Sequence, residues 1–114
     1  MVEIWHNSRC SKSRNGLKYL QENGIEYKIR EYLKNPPTKE ELQEVLKKLG
    51  MKPSELIRKK EKLFKELNLK DKSEDELLEA MVEHPKLIER PIVINGNKAV
   101  VARPETQIEK ILNA

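Results

Sequence analysis

Val2-Glu3-Ile4-Trp5-His6-Asn7-Ser8-Arg9-Cys10-Ser11-Lys12-Ser13-Arg14-Asn15-Gly16-Leu17 is the stretch on which the fold turns. Its apolar opening, around Val2 to Trp5, reads as a first strand. A polar loop then leads into a run with helical spacing. That spacing predicts a helix from about Ser11 to Asn23, with Leu17 and Leu20 on one face and Gly24 as its stop. Ile25, Tyr27 and Ile29 next alternate with polar residues, so the stretch to Tyr32 reads as a second strand. Strand, helix and strand in this order make a β-α-β unit, whose crossover sets the two strands parallel.

Asn35-Pro36-Pro37 breaks this pattern. Thr38 with Glu41 forms a capping box for a helix striped by Leu42, Val45, Leu46 and Leu49 and ended by Gly50. Pro53 suits the first turn of a short helix around Ser54 to Lys59, and Leu63, Phe64 and Leu67 imply a further turn or two. Ser73 with Glu76 caps another helix, with Leu77, Leu78, Met81 and Val82 inside, which stops before His84-Pro85. Pro91-Ile92-Val93-Ile94 and Lys98-Ala99-Val100-Val101 flank Asn95-Gly96-Asn97, a hairpin signal. Pro104 opens a last helix carrying Ile108, Ile111 and Leu112. The expected order is β-α-β, a helical insertion at about 38–84, then β-β-α. Without the insertion this resembles the thioredoxin/glutaredoxin arrangement, an α/β fold with a mixed sheet and helices on its faces. The reading is a single domain over 1–114, without internal repeats.

Composition sets outer limits. A chain of 114 residues suffices for one modest core, which must be mostly aliphatic because aromatics are only 4%. One cysteine rules out an internal disulfide framework and fits a reducing compartment. No apolar run reaches membrane-spanning length and the amino end lacks a signal-peptide pattern, so a soluble, cytoplasmic protein without a membrane partner is expected. The net charge of +4 comes from 23 basic and 19 acidic residues mixed along the chain. That mixture describes solvated helix faces better than a polybasic arm, so nucleic acid is not the expected partner.

Cys10 is the residue with chemistry in it. At a strand-to-helix junction its sulfur faces unpaired N–H groups and the positive end of the helix dipole, with Arg9, Lys12 and Arg14 adding positive charge. Such a thiol ionises readily, and thiolate is the nucleophile. Placement alone equally allows a small buried hydrophobe. His6, four positions earlier, is either a hydrogen-bonded structural residue or a group that favours the thiolate. His84 reads as a helix stop. Two histidines and one cysteine, well separated, give no metal site. Ser13 stands where two-cysteine redox enzymes carry their second thiol, so reducing equivalents must come from outside.

His6-Asn7-Ser8-Arg9-Cys10-Ser11-Lys12-Ser13-Arg14 resembles the signature loop of the glutaredoxin-coupled arsenate reductase (ArsC) family. Tyr32-Leu33-Lys34-Asn35-Pro36-Pro37-Thr38, Glu55-Leu56-Ile57-Arg58-Lys59, His84-Pro85-Lys86-Leu87-Ile88-Glu89-Arg90-Pro91-Ile92-Val93 and Arg103-Pro104 match in the same order. The resemblance implies that Cys10 is the nucleophile and that His6 helps to keep it ionised. It implies that Arg58, Arg90 and Arg103 bind the oxyanion, with Asn7, Ser13, Arg14 and Pro91 supporting the loop. It also implies a cis peptide at Arg90-Pro91. Ser8 departs from the family, which commonly has proline there, and a looser loop is expected.

The chemistry suits those residue types. Arsenate is a tetrahedral, multiply charged anion that repels a thiolate, and planar guanidiniums neutralise it while donating paired hydrogen bonds. Taken singly, each arginine also fits a solvated surface charge. The implied partners are arsenate, glutathione as cosubstrate, and glutaredoxin, with no bound cofactor. Two other readings stay open. One is a related monothiol protein of this fold that acts on another substrate or senses redox state. The other is an Spx-type regulator of RNA polymerase, which ranks last because such regulators use two cysteines.

Overall fold

β1 (Val2–Trp5), β2 (Tyr27–Arg30), β3 (Ile92–Asn95) and β4 (Lys98–Val101) form one sheet in the spatial order β2-β1-β3-β4. The structure is a computed structural model that describes residues 1–112. β1 runs parallel to β2, with Val2 opposite Tyr27 and Trp5 opposite Arg30, and antiparallel to β3, with Ile4 opposite Val93. The parallel pair follows from the crossover through α1 (Ser11–Glu22), as the β-α-β reading requires. The mixed sheet with helices is the expected α/β, thioredoxin-like arrangement. By internal contact the chain falls into two compact units: Met1–Asn35 with the chain from Arg90 onward, and Pro36–Glu89.

In the first unit, Val2, Ile4, Leu20, Val93, Ala102, Ile108 and Ile111 make one buried cluster on a face of the sheet. Ile4, Leu20, Val93 and Ile108 are completely buried, each worth about 1.5–3 kcal/mol relative to exposure. Trp5, one residue out of phase with Ile4, points to the other face, and the guanidinium carbon of Arg30 lies 5.3 Å from its ring centroid. The buried face of α1 is Ser13, Gly16 and Leu20. A Cβ on Gly16 would lie 2.9 Å from Pro91 Cγ, so glycine lets α1 approach the segment before β3 more closely than alanine would.

β2 is shorter than expected. The Glu31 carbonyl accepts N–H groups from both Lys34 and Asn35, and that turn ends the ladder at Arg30, leaving Tyr32 buried outside the strand. β2 is also an edge strand, and Ile29 is 47% exposed, so alternation there does not mark an inner face. The hairpin turns over Gly96 and Asn97, because Asn95 pairs with Lys98 inside the ladder. Gly96 takes the positive φ of +60° at the first turn position, as a glycine-first primed turn requires. The helix expected after Pro104 starts as a 3-10 turn, Glu105–Ile108, and continues as Glu109–Leu112.

The second unit is helical: α2 (Lys39–Leu49), α3 (Pro53–Leu56), α4 (Lys62–Glu66) and α5 (Glu74–Glu83). Both expected capping boxes form, Thr38 with Glu41 and Ser73 with Glu76, and Gly50 ends α2 in the left-handed region. α5 packs against α2 and α3, with Leu77, Leu78 and Met81 buried and Val82 only half-buried. α3 stops at Leu56 instead of reaching Lys59. Ile57 is extended and bridges antiparallel to Ile88, and Arg58 N–H donates to the Leu87 carbonyl at 2.7 Å. Among the described residues no helix is long and apolar enough to cross a membrane.

Candidate active site

Cys10 is the N-cap of α1, with extended backbone and a carbonyl that accepts the Arg14 N–H at 3.0 Å. Its side chain offers no cap to the helix, which leaves the sulfur to other partners. The residue is buried, at 9% exposure. Arg90, just before β3, donates from Nε to Cys10 Sγ at 3.2 Å. The peptide that follows, Arg90-Pro91, is cis, as the resemblance implies, and Arg103-Pro104 is cis as well.

Burial alone would push the Cys10 thiol up. The Ser13 N–H, the hydrogen bond and charge of Arg90, and the Lys12 N–H outweigh it, and the thiol sits below its ordinary range. The helix amino end therefore acts through two amides. The positive side chain facing the sulfur is that of Arg90, whereas Arg14 turns to the loop and donates to the Ser8 carbonyl at 2.9 Å.

The loop between β1 and α1 is tied at several points. Cys10 N–H donates to the Asn7 carbonyl at 3.0 Å, Arg9 N–H to Asn7 Oδ1 at 3.1 Å, and Asn7 N–H to Ser13 Oγ at 2.9 Å. With the Arg14 bond, these tether a loop in which Ser8 replaces proline. His6 N–H donates to the Arg30 carbonyl and extends the β1–β2 ladder, while His6 Nδ1 lies 2.6 Å from Ser13 Oγ. Burial lowers the His6 pKa; Glu31 opposes it, Arg14 lowers it further, and a backbone bond with Ser13 raises it least, with the net shift downward. Its neutral form is therefore favoured near neutral pH.

Cys10, Arg90, Ser13, Asn7, Arg14 and His6 thus form one connected group, with Pro91 against the helix. Arg103 lies exposed just after β4, with its N–H on the Val101 carbonyl. In the helical unit the Arg58 guanidinium faces two carboxylates, with Nη1 3.2 Å from Glu61 and Nε 3.6 Å from Glu89, and Nη1 also donates to the Lys86 carbonyl at 3.1 Å. Those carboxylates went unnoticed in the sequence, although Arg58 and Glu61 have the spacing of neighbours on one turn. Gly16 was also missed as a contact residue; a glycine amid good helix positions was the available signal. Among the described residues no cluster of three or more His, Cys, Asp and Glu side chains is arranged to hold a metal ion.

A family model described as the ArsC family matches residues 5–111. The chain belongs to the ArsC family. It is 50% identical to an uncharacterized protein, YfgD, of Escherichia coli K12, over 97% of this chain and 96% of that one. It is 44% identical to an arsenate reductase of Neisseria meningitidis, with 97% of both covered. A solved arsenate reductase from Vibrio cholerae superposes with a TM-score of 0.93 at 46% identity, with 97% of each chain covered. Within this ArsC-family chain, the loop, Arg90 and the amino end of α1 converge on a single sulfur.

Proposed function

We propose that this chain is an arsenate reductase that uses glutathione and glutaredoxin as its electron source. The observation that carries the reading is Arg90 Nε at 3.2 Å from Cys10 Sγ, at the amino end of α1. A thiolate held there is a nucleophile beside a cation suited to an oxyanion. The arsenate reductases among its relatives support the substrate.

Cys10 thiolate attacks arsenic(V), a sulfur–arsenic bond forms, and one arsenate oxygen leaves as water after protonation. Arg90, Arg103 and Arg58 neutralise the oxyanion during attack; Arg58 must then share its guanidinium with Glu61 and Glu89. His6 supports the ionised cysteine, and Asn7, Ser13, Arg14 and Pro91 hold the loop. Glutathione thiolate then attacks Cys10 sulfur. The sulfur–arsenic bond breaks with its electron pair on arsenic, which departs as arsenite. Two thiolates have supplied two electrons, leaving a Cys10–glutathione disulfide. A glutaredoxin thiol removes the glutathione, because the chain has no second cysteine. This chemistry suits a reducing compartment such as the cytoplasm.

The test is arsenate-dependent NADPH oxidation coupled through glutathione reductase, glutathione and glutaredoxin. Turnover by the parent and none by Cys10→Ser is expected. A parent chain that leaves arsenate unreduced with the whole donor system present refutes the reading.

A further inference from the structure

Ser13 does more than fill the place of a second thiol. It is fully buried, its hydroxyl oxygen lies 2.6 Å from His6 Nδ1, and it accepts the Asn7 N–H at 2.9 Å. Asn7 in turn accepts the Cys10 N–H on its carbonyl at 3.0 Å, and the Ser13 amide is among the groups that favour the Cys10 thiolate. One residue therefore joins imidazole, loop and nucleophile.

Counting hydrogens decides which way the His6–Ser13 bond runs. A hydroxyl offers one proton and two lone pairs. Asn7 N–H occupies one lone pair. A proton on His6 Nδ1 would occupy the other, and the hydroxyl hydrogen would then need a third partner in a buried place. Among the described residues the hydroxyl's partners are His6 and Asn7. An orphaned buried O–H is costly, whereas donation to a bare Nδ1 satisfies both the hydroxyl and Nδ1. The proton of the neutral imidazole then sits on Nε2. Charged groups around the ring are Glu31, which favours protonation, and Arg14, which opposes it. Around the sulfur the charged group is Arg90, with the Ser13 and Lys12 amides adding neutral N–H dipoles.

We propose that Ser13 is a positioning residue: it holds His6 in the Nε2–H tautomer and is the route by which His6 acts on Cys10. The same hydroxyl that orients the imidazole holds the Asn7 N–H, and the Asn7 carbonyl holds the Cys10 N–H, so one set of bonds places imidazole, loop and nucleophile. This rests on reading Cys10 as the nucleophile. Its readouts need no arsenate, so failure here and failure to reduce arsenate are separate results.

Two measurements on the full chain test it. Nitrogen-15 NMR of His6, assigned with His84→Gln, should show an unprotonated Nδ1 and a protonated Nε2 at neutral pH; a protonated Nδ1 overturns the proposal. Iodoacetamide alkylation of Cys10 across pH is then compared for the parent, Ser13→Ala, His6→Ala and the double variant. Ser13→Ala should slow alkylation at neutral pH by about threefold or more, and Ser13→Thr, which keeps the hydroxyl, should recover most of the rate. Adding His6→Ala to Ser13→Ala should change nothing further. If His6→Ala slows the reaction equally in both backgrounds, His6 acts directly and the proposal fails. Should Ser13→Ala not fold, the NMR tautomer and the Ser13→Thr rate decide the matter.

Discussion

Replacing Arg90 with alanine removes one hydrogen bond and one charge from the Cys10 sulfur while leaving the Ser13 and Lys12 amides in place. Two unit charges at this 3.2 Å separation attract by about 5 kcal/mol at an effective dielectric constant near 20. Part of that is already offset by the desolvation of the guanidinium, and water replaces some of the rest in the variant. The net loss should therefore approach that of a hydrogen bond to a charged group, about 1.5–3 kcal/mol. At a pH below the thiol's titration, this lowers the thiolate population about tenfold to a hundredfold. Alkylation by iodoacetamide, followed across pH without any oxyanion, reads that population separately from arsenate binding. Arg90→Lys keeps the charge but loses the planar fork, so it should fall between parent and alanine variant. An Arg90→Ala thiol that reacts at the parental rate at every pH would refute the reasoning. Stability should move too. A thiol whose folded pKa is lowered contributes stability above its unfolded pKa and loses it as pH falls through the folded value. Arg90→Ala should shrink that dependence in urea midpoints.

His6 gives a pH signature of the same sign, centred on the histidine range. Its folded pKa lies below the ordinary value of 6.5, so the unfolded chain takes up the proton first and stability falls as pH drops through that region. His6→Gln should flatten this slope in urea midpoints measured between about pH 5 and 8. Arg58→Ala removes the guanidinium that Glu61 and Glu89 share, at side chains only 19% and 32% exposed, and leaves Lys86 Nζ at 4.0 Å from Glu61. A loss of about 1–3 kcal/mol is expected in urea unfolding, and an unchanged midpoint would mean that the carboxylates do not depend on Arg58.

Most of the fold was legible because its signals are local. Thr38 and Ser73 each meet a glutamate three residues on, Gly24 and Gly50 stop their helices, and Gly96 needs only its neighbours to make a turn. The errors fall where a distant partner decides. Nothing near Ile57 announces that it will leave a helix to bridge Ile88, and β2 ends because the Glu31 carbonyl is taken by a turn. The site divides in the same way. An activated Cys10 follows from its position at the start of α1, but Arg90 lies 80 residues away and was reachable only through the family motif. The carboxylates on Arg58 and the hydroxyl hub at Ser13 are products of packing. Only the i,i+3 spacing of Arg58 and Glu61 hints at one of them.

Trp5 is the only tryptophan, it is 2% exposed, and it stands in β1 immediately before the loop that leads to Cys10. The chain consequently carries its own optical gauge. Indole emission starts from a dry environment beneath the Arg30 cation and shifts to the red as water reaches the ring. Refolding and thiol modification can therefore be watched on the strand that leads into the site, with no dye attached.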